Sequence, residues 1–153
     1  MANTSVTTTT TTAPATVEDP RVQEAFNTAK KFLVVYGVIS VVCLGTVAGM
    51  AIAGHDTSPF MWVRGAILLL IAPWLYRLAT RAPQGDARAY DRLATVTAIL
   101  PIAIIVVDAI PGLCPAWYAA IQGVSALALI GAAVLTRGSA VRGVFPKPAK
   151  KKA

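Results

Sequence analysis

Apart from Arg77 at the inner end of the second, two ionised side chains interrupt the long apolar stretches of this chain, Arg64 and Asp108. A charge placed in hydrocarbon costs at least ~2.5 kcal/mol, so each needs a partner or a purpose. Arg64 lies just inside the start of the second stretch and Asp108 just before the end of the third. If consecutive stretches run antiparallel, both fall at one depth near the outer surface. They then form an ion pair that registers two helices, or Arg64 snorkels alone to the headgroups. The functional alternative is a polar outer vestibule completed by His55, Asp56 and Gln122.

Deeper polar groups are Ser40, Cys43, Thr46, Thr95, Thr97, Gln122 and Ser125, with no carboxylate or histidine among them. Proton-coupled transport normally needs an ionisable group near the bilayer middle, so this pattern argues against it. Gln122 is expected to hydrogen-bond across a helix interface. Pro73 and Pro101 each remove an i to i−4 bond and free the carbonyls of Leu69 and Thr97. Such helix breaks can line a path, and are equally tolerated where neighbours satisfy the freed carbonyl.

Cys43 falls mid-span and Cys114 in an outer loop, an expected separation of about half a bilayer that is too long for a disulfide. One histidine and no Cys-x-x-Cys leave neither a zinc site nor a thiol-exchange pair. There is no glycine-rich phosphate loop and no G-x-S-x-G. The expectation is therefore no enzyme, no cofactor, no metal and no catalytic residue.

The elements that must position these groups are apolar runs at 32–53, 60–78, 93–110 and 116–136, each near the ~20 residues that cross a ~30 Å hydrocarbon layer. Composition agrees, with 56% hydrophobic and 14% charged residues. Thirteen of the fourteen Lys and Arg fall in three segments: Arg21, Lys30 and Lys31; Arg77, Arg81, Arg88 and Arg92; and Arg137, Arg142, Lys147, Lys150, Lys151 and Lys152. The connections at 54–59 and 111–115 contain none. The positive-inside rule then puts both termini and the middle loop in the cytoplasm. The expected fold is all-α, an integral inner-membrane four-helix bundle, N-in and C-in, with antiparallel neighbouring helices. The net charge of +7 reads as topology and attraction to anionic headgroups, not as nucleic-acid binding. Ala51-Ile52-Ala53 imitates a signal-cleavage site, but the run before it exceeds a signal h-region, so it is read as a retained span.

Around the spans, residues 1–18 are expected to be a disordered Thr-rich tail, because such a composition buries too little apolar surface to offset its ordering entropy. Order should start at Asp19-Pro20, an N-cap followed by Pro at the first helical position. Residues 19–31, with Val22, Phe26 and Ala29 at helical spacing, suit either an amphipathic juxtamembrane helix or an extension of the first span. Pro83-Gln84-Gly85-Asp86 should end helix 2 and cap helix 3, which then begins about two turns before the membrane. Phe60, Trp62, Trp117 and Tyr118 are placed in an outer aromatic belt, and Trp74, Tyr76 and Tyr90 in an inner one. Residues 138–153 should form a mobile basic tail. Gly45-x-x-x-Gly49 extended by Ala53, Ala119-x-x-x-Gly123 and Ala128-x-x-x-Ala132 permit close helix approach, within the bundle or between protomers, with the bundle favoured.

Alanine-rich helices, an arginine-heavy middle loop and a run of Thr at 7–12 together resemble the small four-span membrane proteins of high-GC actinobacteria. That likeness, one of overall pattern, implies a membrane bundle and carries no activity or site residues. Small multidrug transporters also have four spans, but place a Glu in the first helix, where this chain has none. The expected role is an accessory, scaffold or assembly partner of a membrane complex, associating with other membrane proteins or with itself. The alternative is a small oligomeric transporter or channel.

Overall fold

A computed structural model describes residues 16–145. The expected tail at 1–18 and the lysine-rich end of the chain fall almost wholly outside these residues. Among them every element is helical: α1 (Pro20–Ile52), α2 (Pro59–Arg81), a 3-10 turn (Ala82–Gln84), α3 (Ala87–Asp108), α4 (Ala116–Thr136) and α5 (Ser139–Val144). Helices α1 to α4 are long and apolar enough to cross a membrane, and they form an up-down bundle. Both described ends and the α2–α3 turn lie at one end of it, the termini end. The α1–α2 and α3–α4 connections lie at the other, the hairpin end.

Helix starts follow local chemistry. The Asp19 carboxylate accepts from Arg21 N at 2.9 Å with Pro20 in the first position, and Ser58 caps α2 ahead of Pro59. Asp86 accepts from the amides of Arg88 and Ala89, both at 3.1 Å. Gly85 takes φ +92°, a left-handed turn that stops the preceding helix where a Cβ would be strained.

The buried residues of α1 are Val22, Phe26, Ala29, Leu33, Tyr36, Ser40, Cys43 and Val47. Their spacing alternates four and three without a break, a heptad seam that keeps one face against its neighbours. This periodicity makes residues 20–31 a continuous extension of the first span. Its apolar face is covered by protein, because Val22, Phe26 and Ala29 share a core with Ala79, Ala82, Tyr90, Val141 and Phe145. Gln23 Nε2 adds bonds to the carbonyls of Val17 (2.8 Å) and Pro83 (3.4 Å), tying the chain start to the α2–α3 turn.

Around the bundle, α1 packs broadly on α2 and α4, and α4 on α3, whereas the α2–α3 seam is slight. Glycines set some of these approaches. A Cβ added at Gly131 would meet the Phe32 ring at 2.9 Å, one at Gly65 would meet Leu44 at 3.0 Å, and one at Gly37 would meet Ala72 at 3.6 Å. Ala128 and Ala132 are buried as the packing reading requires. The Gly45-x-x-x-Gly49 face is not in the bundle, a correction. A Cβ at either glycine meets nothing within 4 Å, and Ala53 is exposed. The cause is phase: Gly45 is two residues from both Cys43 and Val47, ~200° round the helix from the seam. Ala119 and Gly123 are half-buried, and a Cβ at Gly123 likewise meets open space.

A second correction concerns the basic tail. Residues 139–144 form α5, which buries Val141 and carries Phe145 against the core. Phe145 stacks on Tyr90 with centroids 4.5 Å apart, and Tyr90 meets Phe26 edge-on at 6.5 Å. Tyr90 therefore faces inward, not into an aromatic belt, and its hydroxyl donates to Thr136 O at 3.0 Å. Trp62, Trp74 and Tyr76 do face outward.

Candidate functional site

The polar groups singled out in the sequence gather mainly at the hairpin end, and Arg64 is their hub. From the first turns of α2 its Nη1 reaches Asp108 Oδ1 on α3 at 2.6 Å, with both side chains only about a tenth exposed (10% and 11%). Nη2 donates to Ile104 O at 3.4 Å, and Nη1 lies 3.6 Å from Cys114 Sγ in the α3–α4 loop. The guanidinium also sits 5.8 Å from the ring centroids of Phe60 and Tyr118, within cation–π range. One side chain thus joins α2, α3, α4 and the α3–α4 loop. It does so across the seam with the least packing, so the pair fastens α2 to α3 where apolar contact is thin.

Below this hub the cluster continues inward. Tyr118, Cys43, Val47 and Met61 form a small buried core of their own, with Cys114, Trp117 and Ile121 against it. Gln122, almost fully buried, donates to Cys43 Sγ at 3.7 Å and accepts from Ser125 Oγ at 3.0 Å. Tyr118 is fully buried, and its hydroxyl, although close to Gln122 and Cys43, meets neither in good hydrogen-bond geometry. An unpaired buried hydroxyl costs ~1 to 3 kcal/mol, so this is the least satisfied point among the described residues.

Three expectations change here. Gln122 does not join His55 and Asp56, because it points into the bundle while both of those are exposed in the α1–α2 loop. Asp56 instead lines a shallow surface hollow with Met61 and Cys114. The two cysteines, expected to stand apart, both border the cluster around Tyr118, and both are free thiols. Tyr118 leaves the expected outer belt for the core. Burial pushes the Cys114 thiol up from its ordinary value, with the Arg64 charge opposing. No group of three or more His, Cys, Asp or Glu side chains among the described residues could hold a metal.

Hydroxyls bond backbone carbonyls close to both helix breaks, though not the two carbonyls that the prolines free. The Tyr36 hydroxyl, fully buried, donates to Leu68 O at 2.9 Å, one residue from the carbonyl freed by Pro73. Thr97 returns its hydroxyl to Leu93 O at 2.6 Å, one turn before Pro101. Ser40, Thr46 and Thr136 likewise bond carbonyls four residues back in their own helices. Each of these hydroxyls is thus taken up by a backbone carbonyl, of its own helix for Ser and Thr and of the neighbouring helix for Tyr36.

The fold and cluster define a multi-pass, all-α membrane protein with an internal ion pair. No protein-family model matches the chain, and no curated protein or solved structure does so either.

Proposed function

We propose that this protein is an accessory or assembly partner of a membrane complex, seated in the inner membrane with both termini cytoplasmic, and that it associates through the outward face of α1. The observation that carries the reading is the Gly45, Gly49 and Ala53 stripe, which lets another helix approach closely and which this bundle leaves uncovered. The interior supports the same conclusion. The one ion pair among the described residues is internal, the deep Ser and Thr hydroxyls bond their own helices, and Tyr36, Leu75, Leu93 and Leu129 fill the bundle with side chains of almost no exposure. A transporter or channel would need a polar route through that packing.

Site-specific photo-crosslinking in native membranes tests this. A benzophenone residue at Gly49 should yield one discrete adduct, either a partner or a second copy, while the same residue at Leu70 or Leu127, which face outward on α2 and α4, should yield lipid adducts only. Equal patterns from all three positions would overturn the reading. So would ion or solute flux through the purified protein in liposomes.

A further inference from the structure

At the termini end, the seam between α3 and α4 opens into a hollow of about 240 Å³ lined by Tyr90, Asp91, Thr95, Arg137, Arg142 and Phe145. Arg137 is shared with a second recess, an apolar groove of about 460 Å³ that runs on along the same seam past Ala98, Pro101, Ile102, Ile105 and Ile130. The groove extends over eight residues of α3, ~12 Å at 1.5 Å per residue, close to the ~15 Å depth of one leaflet. Small residues create it, since Ala98 and Ala133 stand where longer side chains would close the seam.

The charges at its head are not consumed by the protein. Among the described residues the ion pair within 4 Å is Arg64 with Asp108, so neither Arg137 nor Arg142 is paired with a carboxylate. Arg137 spends one Nη2 hydrogen on Ala94 O at 2.9 Å, which fixes its guanidinium at the junction of hollow and groove and leaves its other donors available. Asp91 is the one carboxylate lining the hollow, against two arginines. The groove between α1 and α2, lined by Val38, Val41, Pro73 and Tyr76, has a single cation, Arg77, and gives an internal comparison.

We propose that the α3–α4 seam binds one anionic phospholipid, its phosphate between Arg137 and Arg142 and one acyl chain along the groove past Pro101. A headgroup phosphate matches the unpaired arginine donors, and a chain of one leaflet's depth matches the groove. This site is independent of the α1 face and stands whether or not α1 has a partner.

The test is native mass spectrometry of the delipidated full chain in neutral detergent, titrated with dioleoyl phosphatidylglycerol or dioleoyl phosphatidylcholine. The first phosphatidylglycerol should bind about 25-fold more tightly than phosphatidylcholine, the effect expected of two cations near a headgroup. Arg142→Gln should reduce that preference about fivefold, whereas Arg77→Gln should leave it intact. Ala98→Phe should weaken both lipids by filling the groove. Because Arg137 also holds the Ala94 carbonyl, Arg142→Gln is the decisive variant. An unchanged preference in Arg142→Gln, an equal loss in Arg77→Gln, or displacement of the lipid by millimolar inorganic phosphate would overturn the proposal.

Discussion

The two ends of this bundle solve the same packing problem with opposite materials. At the termini end, Phe26, Tyr90 and Phe145 stack into an aromatic knot with Val22 and Val141, and the Tyr90 hydroxyl is bonded to Thr136 O. At the hairpin end, a guanidinium, a carboxylate, two thiols and an amide occupy the equivalent space, and the Tyr118 hydroxyl has no partner. The first end has chain left over beyond the spans and uses it, through the α1 extension and α5, to add apolar contact. Short connections give the second end no such segments, so a directional pair holds α2 against α3 there. Apolar packing tolerates small shifts, whereas a charge pair fixes register and leaves any group it fails to satisfy at a cost.

The largest break in this comparison is Asp108→Asn. It leaves the Arg64 charge about nine-tenths buried without its partner and should cost about 3 kcal/mol, read as a lower Tm in detergent. Adding Arg64→Gln should cost little more, because the coupling is already gone; additive losses would mean the two groups act separately. Phe145→Ala comes next, at about 2 kcal/mol, and should also loosen α5, measured as faster amide exchange at Val141 and Arg142. An unchanged exchange rate would mean that α5 is held by something other than its aromatic anchor.

The sharpest contrast comes from one substitution made at both ends. Tyr90→Phe removes a made hydrogen bond and should destabilise by about 1 kcal/mol, while Tyr118→Phe removes an unmade one and should be neutral or stabilising by up to about 1 kcal/mol. Equal losses at the two positions would mean that Tyr118 has a partner, and would erase the difference between the ends.

Thiol accessibility is a finer test. A water-soluble maleimide should label Cys114 and spare Cys43, which is fully packed. Because burial raises the Cys114 pKa, its thiolate should appear at higher pH than that of a free thiol, so labelling should climb through a midpoint above the usual ~8.5. Rapid labelling at neutral pH would show the loop to be open.

Much of this was legible in the residues because it depends on local chemistry or on depth. Asp19-Pro20 and Asp86 are capping signals that act within three residues, and Arg64 and Asp108 needed only antiparallel helices to meet. What escaped depends on helix phase. Gly45-x-x-x-Gly49 has the spacing of a packing motif wherever it points, and its direction follows only from the seam running from Val22 to Val47. That heptad was present in the sequence, and extending it from Val22, Phe26 and Ala29 would have turned the glycines outward. Val141-x-x-Val144-Phe145 carries an i, i+3, i+4 pattern, overshadowed by the Lys and Pro that follow. The inward turn of Tyr90 and Tyr118 had no such signal, since an aromatic near a span end suits a belt or a core equally well.

The central claim is that α1 presents an association face the bundle itself does not use. Substituting Gly45 and Gly49 together by Ile tests it most directly, because a Cβ at either site meets nothing within 4 Å. The complex extracted in mild detergent should fall to the mass of a single chain with bound lipid and detergent, while Tm stays within ~1 °C or rises, as expected for replacing exposed helix glycines. Retention of the full complex mass by the double variant would contradict the account.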